Sequence, residues 1–221
     1  MIPFKQYITE LSKPNDVDLV KAAFRDLRDE MGQEYFTNTF YRFGVWHSPS
    51  TMKRKIEARS VMKRALGKYG FELIGAGAKG AAFAHDKYPY IIKIFSYDDG
   101  YMDYLRFAAK HPNNKYVPKF KGQATKIFDE IYYVRVEKLE EIASLTPKLV
   151  SIMSEFEDIS RLLRKYGERA LTEKNLRVEK DMLEFCRYLS KVPENFGVDL
   201  HDGNFMQRPN GQIVVIDPLI G

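Results

Sequence analysis

Toward the C-terminus, Val198-Asp199-Leu200-His201-Asp202-Gly203-Asn204-Phe205-Met206 is followed, after a short polar turn, by Ile213-Val214-Val215-Ile216-Asp217-Pro218. Carboxylates and a carboxamide therefore flank two apolar runs. The intervening Asn210-Gly211 is a strong hairpin signal and favours a two-residue type I′ turn. In that register paired positions sum to 421, so Pro209 faces Gln212, Met206 faces Val215 and Asn204 faces Asp217. Directly opposed residues carry Cβ atoms about 5 Å apart on one face. An amide oxygen and a carboxylate at that separation can share a hard cation such as Mg2+, with phosphate oxygens and water completing an octahedron. The plainer reading makes Asp199 and Asp202 turn-formers and leaves Asn204 and Asp217 as strand flanks.

A second stretch, Gly75-Ala76-Gly77-Ala78-Lys79-Gly80, matches G-x-G-x-x-G. In a dinucleotide-binding unit such glycines run straight into a helix. Here they run into Ala81 to Ala84, a turn signal at Asp86-Lys87 and Pro89, and another apolar run. The loop thus lies between antiparallel strands, an arrangement that suits covering a nucleotide's phosphates; an ordinary hairpin is the other reading. Lys93 sits inside Tyr90-Ile91-Ile92-Lys93-Ile94-Phe95, 13 residues after the last glycine. A lysine central in such a strand is costly if buried alone. Its spacing suits a phosphate-pairing lysine, and a solvated lysine guarding an edge strand fits equally well.

Periodicity supplies the elements that must position these residues. Val17, Leu19, Val20, Ala23, Phe24, Leu27 and Met31 recur at helical spacing over 15–31, with Asn15 or Asp16 as the cap. Tyr35 to Trp46 reads as packed loop or short strand. A second helix runs over roughly 51–68, burying Met52, Ile56, Val61, Ala65, Leu66 and Tyr69. On it Lys53, Arg54, Lys55, Arg59, Lys63, Arg64 and Lys68 stay outside. Strands follow at 71–75, 81–84, 90–95 and 131–137, with a helix at 99–110 between the last two. Residues 147–191 are mostly helical, before a loop at 195–204 and a hairpin at 204–217. Cys186 falls among Leu183, Phe185 and Leu189 as a small core residue. The order suits an α+β architecture of two lobes with an N-terminal helical extension.

Composition removes several classes. Apolar residues make up 44% and aromatics 14%, enough for a packed core. One cysteine excludes an internal disulfide framework and fits a cytoplasmic chain. The four histidines lack cysteine partners, so a zinc site is not expected. No secretory signal or membrane-spanning run is present. The net charge of +5 is uneven: residues 1–70 hold 13 basic and 8 acidic side chains, and the remainder holds 22 of each. A salt-dependent partner for the 51–68 helix, nucleic acid or ribonucleoprotein included, is one reading of that excess; a solvated face is the other.

Taken together, Gly70 to Gly77, Ala81-Ala82-Phe83, Ile91-Ile92-Lys93, Asp199 to Asn204 and Ile216-Asp217-Pro218 resemble the protein-kinase superfamily. At finer grain they resemble the early Ser/Thr protein kinases of short-tailed T-odd bacteriophages. That resemblance implies a compact two-lobed kinase-like fold, ATP and Mg2+ as cofactors, and host proteins as phosphorylation substrates. It implies Asp199 and Lys93 as catalytic residues. Gly75, Gly77, Gly80 and Lys93 would hold phosphates, Glu137 and Leu139 would flank adenine as hinge backbone, and Asn204 and Asp217 would bind metal. The expected division is a basic extension over 1–69 and a kinase-like domain over 70–221, its N-lobe about 70–138 and a reduced C-lobe about 139–221. No membrane contact is expected.

Departures from the kinase pattern sharpen the expectation. Gly197 and Val198 replace the His and Arg that usually precede the catalytic Asp, and Pro218 replaces the usual Phe. Only Pro218, Leu219, Ile220 and Gly221 follow Asp217, so the C-lobe is expected to be truncated, with the 1–70 stretch as the candidate substrate platform. Asp103 is the nearest acid to where a lysine-pairing glutamate stands, although a solvated helix face suits it too. His201 either orients the catalytic loop or is a satisfied loop histidine. Ser48, Ser50 and Thr51 are candidate autophosphorylation sites. A small-molecule phosphotransferase and a catalytically weak binding module are the rival functions.

Overall fold

A computed structural model describes residues 15–41, 49–77, 80–96, 100–128, 131–192 and 197–220, with the side chains of 38–41, 49–56 and 220 left aside. Ser48 and the side chains of Ser50 and Thr51, Met52 and Ile56 lie outside that description. The chain divides into two compact units, one of residues 1–96 and 125–133, the other of 97–124 and 134–221.

The first unit begins with α1 (Asp16–Met31), capped by Asn15, whose Oδ1 accepts from the Asp18 N–H at 3.1 Å. Val20, Ala23, Phe24 and Leu27 form its buried stripe. Gly32, at φ 78°, ends it in a conformation that disfavours other residues. Where loop or strand was expected, residues Gln33–Tyr41 form a further helix, α2. Its Phe36 is fully buried between the rings of Phe24 and Phe128, 6.5 and 4.6 Å away by centroid. That tertiary contact outweighs the weak helix propensity of an aromatic segment.

The next helix, α3 (Pro49–Gly67), has proline at its first position, where no intrahelical N–H is needed. Ala58, Val61, Met62, Ala65 and Leu66 are buried in one core with Phe24 and Leu27 of α1. Arg64 and Lys68 both pair with Glu30, at 2.6 and 3.3 Å. The same core takes Phe71, Ala81, Phe83, Ile92 and Ile94, so the helices before residue 69 and the strands after it exclude water together.

Those strands are β1 (Glu72–Ala76), β2 (Gly80–Ala84), β3 (Tyr90–Ser96), β4 (Phe120–Phe128) and β5 (Ile131–Glu137). They form one sheet in the order β1-β2-β3-β5-β4. Both β1/β2 and β2/β3 are antiparallel, and the β1/β2 register shifts between Leu73 and Gly75.

The second unit packs α4 (Tyr101–Lys110), α5 (Pro147–Tyr166), α6 (Arg169–Glu173) and α7 (Lys180–Ser190). Aromatic rings join them: Phe107 stacks on Tyr188 at 4.4 Å, and Phe156 meets Phe185 edge-on at 5.2 Å. Two small sheets carry the chain end, β6 (Glu140–Glu141) with β8 (Phe205–Gln207) and β9 (Ile213–Val215), and β7 (Gly197–Val198) with β10 (Leu219–Ile220). The Tyr104 hydroxyl donates to the Val215 carbonyl at 2.6 Å, tying α4 to β9. Among the described residues no helix is long and apolar enough to cross a membrane.

The β8–β9 hairpin corrects the expected register. Phe205 faces Val215, Met206 faces Val214 and Gln207 faces Ile213, so partners sum to 420. The loop holds three residues, Pro209-Asn210-Gly211, closed by Gly211 N–H to Arg208 O and Arg208 N–H to Gln212 O at 2.8 and 2.9 Å. Gly211 alone of the three has positive φ, 77°. Proline explains the change: it fixes φ near −65°, which suits the first corner of a type I turn followed by a left-handed glycine. A type I′ turn would need Asn210 left-handed as well.

Candidate active site

In the first unit, strand pairing sets Gly75 opposite Ala82 and Ala82 opposite Lys93. Alternation puts this row on the sheet face opposite Ala81, Phe83, Ile92 and Ile94, which enter the core. Lys93 thus emerges, half-buried, on the same row as Gly75 and Ala82. With β3 central in the sheet, the edge-strand reading of Lys93 is set aside. The three glycines differ in their demands. A Cβ on Gly80 would lie 2.9 Å from the Ile94 carbonyl oxygen and 3.3 Å from Lys93 Cε, whereas nothing lies within 4 Å of a Cβ on Gly77. Gly80 therefore lets β2 approach β3 at the lysine. The Gly77 N–H donates to the Gly80 carbonyl at 3.0 Å, closing the loop.

Arg59 of α3 was expected outside. Instead it is half-buried, and its Nη2 donates to the Gly77 carbonyl. No motif marks this residue. The available signal is helical spacing: Arg59, Met62 and Leu66 fall at i, i+3 and i+7, and the last two are fully buried.

In the second unit, three hydrogen bonds join the candidate catalytic and metal-binding residues. Asp199 N–H donates to Pro218 O at 2.8 Å, Asn204 Nδ2 donates to Asp199 O at 3.0 Å, and Ile216 N–H donates to Asn204 O at 2.8 Å. Asp199, Asn204 and the Ile216-Asp217-Pro218 segment are thereby held as one cluster. The shifted register places Ile216, rather than Asp217, opposite Asn204, so the direct Asn204–Asp217 pairing is corrected to a next-residue relation. Asn204 is buried, and its amide N–H is spent on the loop, which leaves its carbonyl oxygen as the group able to bind a cation. Burial above all, with Tyr101, Tyr188 and Asp217 adding, holds the Tyr104 phenol well above its ordinary range.

His201 caps the short 3-10 turn Asp202–Asn204. Its Nδ1 accepts from the Gly203 N–H at 3.0 Å, so the neutral ring carries its proton on Nε2, which faces Asp199 Oδ2 at 3.6 Å. A Cβ on Gly203 would stand 2.8 Å from His201 Cε1, so glycine there makes room for the imidazole.

Glu137 ends β5, and Leu139 lies in the connection to β6. The Glu137 N–H donates to Lys119 O at 2.9 Å, and its carboxylate accepts from Arg208 at 2.8 Å and from the Lys119 N–H at 2.7 Å. Its side chain is therefore structural. Asp103 is half-buried and pairs with Arg106 on its own helix. Cys186 is buried, and burial pushes its thiol up to about 12, which removes it from thiolate chemistry at neutral pH.

No curated protein matches the chain. A family model described as Bacteriophage T7 protein kinase 0.7 matches residues 52–220, a stretch that contains every site residue above and Arg59 as well. With three quarters of its length matched, the chain belongs to the bacteriophage T7 protein kinase 0.7 family and is a phage kinase.

Proposed function

We propose that the chain is an ATP-dependent Ser/Thr protein kinase with a two-lobed kinase-like fold that phosphorylates proteins of the phage's host in the host cytoplasm. The observation that carries this reading is the closed set of hydrogen bonds from Asp199 to Pro218, Asn204 to Asp199 and Ile216 to Asn204. Phosphoryl transfer needs positioning and charge neutralisation more than covalent participation, and such a set ties together the backbone segments that carry Asp199, Asn204 and Asp217. Asp199 orients the acceptor hydroxyl and accepts its proton. Lys93 and the amides of the glycine-rich loop hold the phosphates. The Glu137 carbonyl and the Leu139 N–H supply the adenine contacts, consistent with the other groups of Glu137 being spent on Lys119 and Arg208.

Asn204 and Asp217 would hold Mg2+. The donor chemistry fits, one neutral and one anionic oxygen, the set a hard cation takes when phosphates provide the rest. Among the described residues no three His, Cys, Asp or Glu side chains are grouped so that they could hold a metal ion. A divalent cation held there would supply charge neutralisation for the phosphates. Labelled ATP with Mg2+ and host lysate, read by mass spectrometry, tests the assignment. Asp199→Asn is expected to slow transfer by roughly 10²–10⁴, and Asp217→Ala to abolish it. Unchanged transfer in either variant would falsify the site, and label on a metabolite instead of protein would reassign the acceptor.

A further inference from the structure

Within the glycine-rich loop, Gly77 is held through its N–H, which donates to the Gly80 carbonyl. A Cβ there would meet open space, and glycine loses more backbone freedom on ordering than any other residue. The Gly77 carbonyl nevertheless has a donor from outside the loop, the Arg59 guanidinium. Ala58 is fully buried and Val61 and Met62 are buried, so the backbone from which Arg59 springs is fixed in the core of its unit. The Arg59 Nε is buried and has no hydrogen-bond partner among the described residues. A buried unpaired N–H is costly, and a surface arginine would swing out to relieve it. This one is turned to the Gly77 carbonyl.

We propose that Arg59 is a positioning residue of the nucleotide loop. Its hydrogen bond to the Gly77 carbonyl fixes that residue before nucleotide binds and sets a positive charge beside it. The inference rests on the kinase reading for its ligand, but its geometry is that of the ligand-free chain. Part of the entropy of fixing the Gly77 backbone for phosphate binding is removed in advance, and affinity gains by that amount. The basic helix α3, on this view, is part of the nucleotide site.

The full chain is compared with Arg59→Met, which keeps the apolar stem without a donor, and with Arg59→Lys, which keeps a cation and a donor while removing the buried unpaired Nε. The readouts are amide hydrogen exchange over 75–81 without ligand, binding of a non-hydrolysable ATP analogue, KM for ATP against kcat, and melting temperature. Arg59→Met is expected to speed exchange over 75–81 several-fold. It should also raise Kd and KM by about tenfold, the cost of fixing roughly one residue's backbone, with kcat and melting temperature near wild type. Arg59→Lys is expected to restore most of both effects. Unchanged exchange over 75–81 in Arg59→Met overturns the proposal whether or not nucleotide binds. So does equal weakening of both variants with a matching loss of melting temperature, the mark of a purely structural residue. A wild-type chain that binds no ATP analogue, while Arg59→Met still loosens the loop, would instead remove the kinase reading and leave the positioning role standing.

Discussion

Two glycines of one motif answer to different physics, and substitution should separate them. At Gly80 the obstacle is the Ile94 backbone carbonyl, 2.9 Å from a Cβ, and a paired strand cannot yield as a side-chain tip can. Gly80→Ala is therefore expected to destabilise the first unit by about 1–3 kcal/mol, and to shift Lys93, whose Cε lies 3.3 Å from the same point. Gly77→Ala should leave stability near wild type, since open space surrounds it. Urea denaturation of both variants decides this; equal midpoints would remove the argument that close approach fixes the third glycine. The residue scale also explains why Arg59 escaped a reading by charge. A helical wheel places a cation outward by default, and its partner here is a backbone carbonyl, which has no sequence signature. Only its spacing from Met62 and Leu66 marked it.

At the scale of elements, Arg208 connects β5 to the hairpin that carries Asn204 and Asp217. Its guanidinium donates to both Glu137 oxygens and to the carbonyls of Lys115 and Val117 at 2.8 and 2.9 Å, and both side chains of the pair are largely buried, at 15% and 20% exposure. Removing one partner of such a pair strands the other's charge. Arg208→Met should cost about 3 kcal/mol, and adding Glu137→Gln should recover part of it; a double variant no more stable than the single would show that packing, not charge, is what Arg208 supplies. The strands β1, β2, β3 and β5 and the helices α1, α5 and α7 were legible because each follows its own local period. The missed elements are those that depend on distant partners. Helix α2 exists because Phe36 inserts between Phe24 and Phe128; β7 and β10 are two-residue strands paired across about 20 residues; and β4, reading Phe-Lys-Gly-Gln-Ala-Thr-Lys-Ile-Phe, has no burial period to announce it. Likewise Asp199, Asn204 and Asp217 were legible as residue types at a spacing, whereas their register was set by Pro209, whose effect on the turn outweighed Asn210-Gly211.

For the molecule as a whole, the uneven charge has a different meaning once the helices are placed. Of the basic side chains on and just after α3, Arg64 and Lys68 are paired with Glu30 and Arg59 is bonded to Gly77, so part of the excess is spent inside the first unit. The two units also differ in what they hold protonated. In the second, burial raises the Tyr104 and Tyr188 phenols and pushes the Cys186 thiol up to about 12 from 9.0. In the first, Tyr69 is raised chiefly by its hydrogen bond to Asp26, with burial second. A group whose folded pKa is raised binds its proton more tightly in the native state. Its contribution is complete below the unfolded pKa and is lost as pH rises through the folded one. The second unit should therefore lose stability from pH 9 upward, where Cys186 would ionise if unfolded, and faster above 10.0, where the tyrosines would. Each such group costs about 1.4 kcal/mol per pH unit within its window. Hydrogen exchange between pH 8 and 11, corrected for the intrinsic rate, should show α4, α5 and α7 deprotecting before α1 and α3. Replacing Cys186 with Ala should flatten the slope between 9 and 10, whatever it does to stability at neutral pH. Both units deprotecting in step, with the slope untouched by that replacement, would mean that the buried thiol and phenols do not govern the alkaline limit.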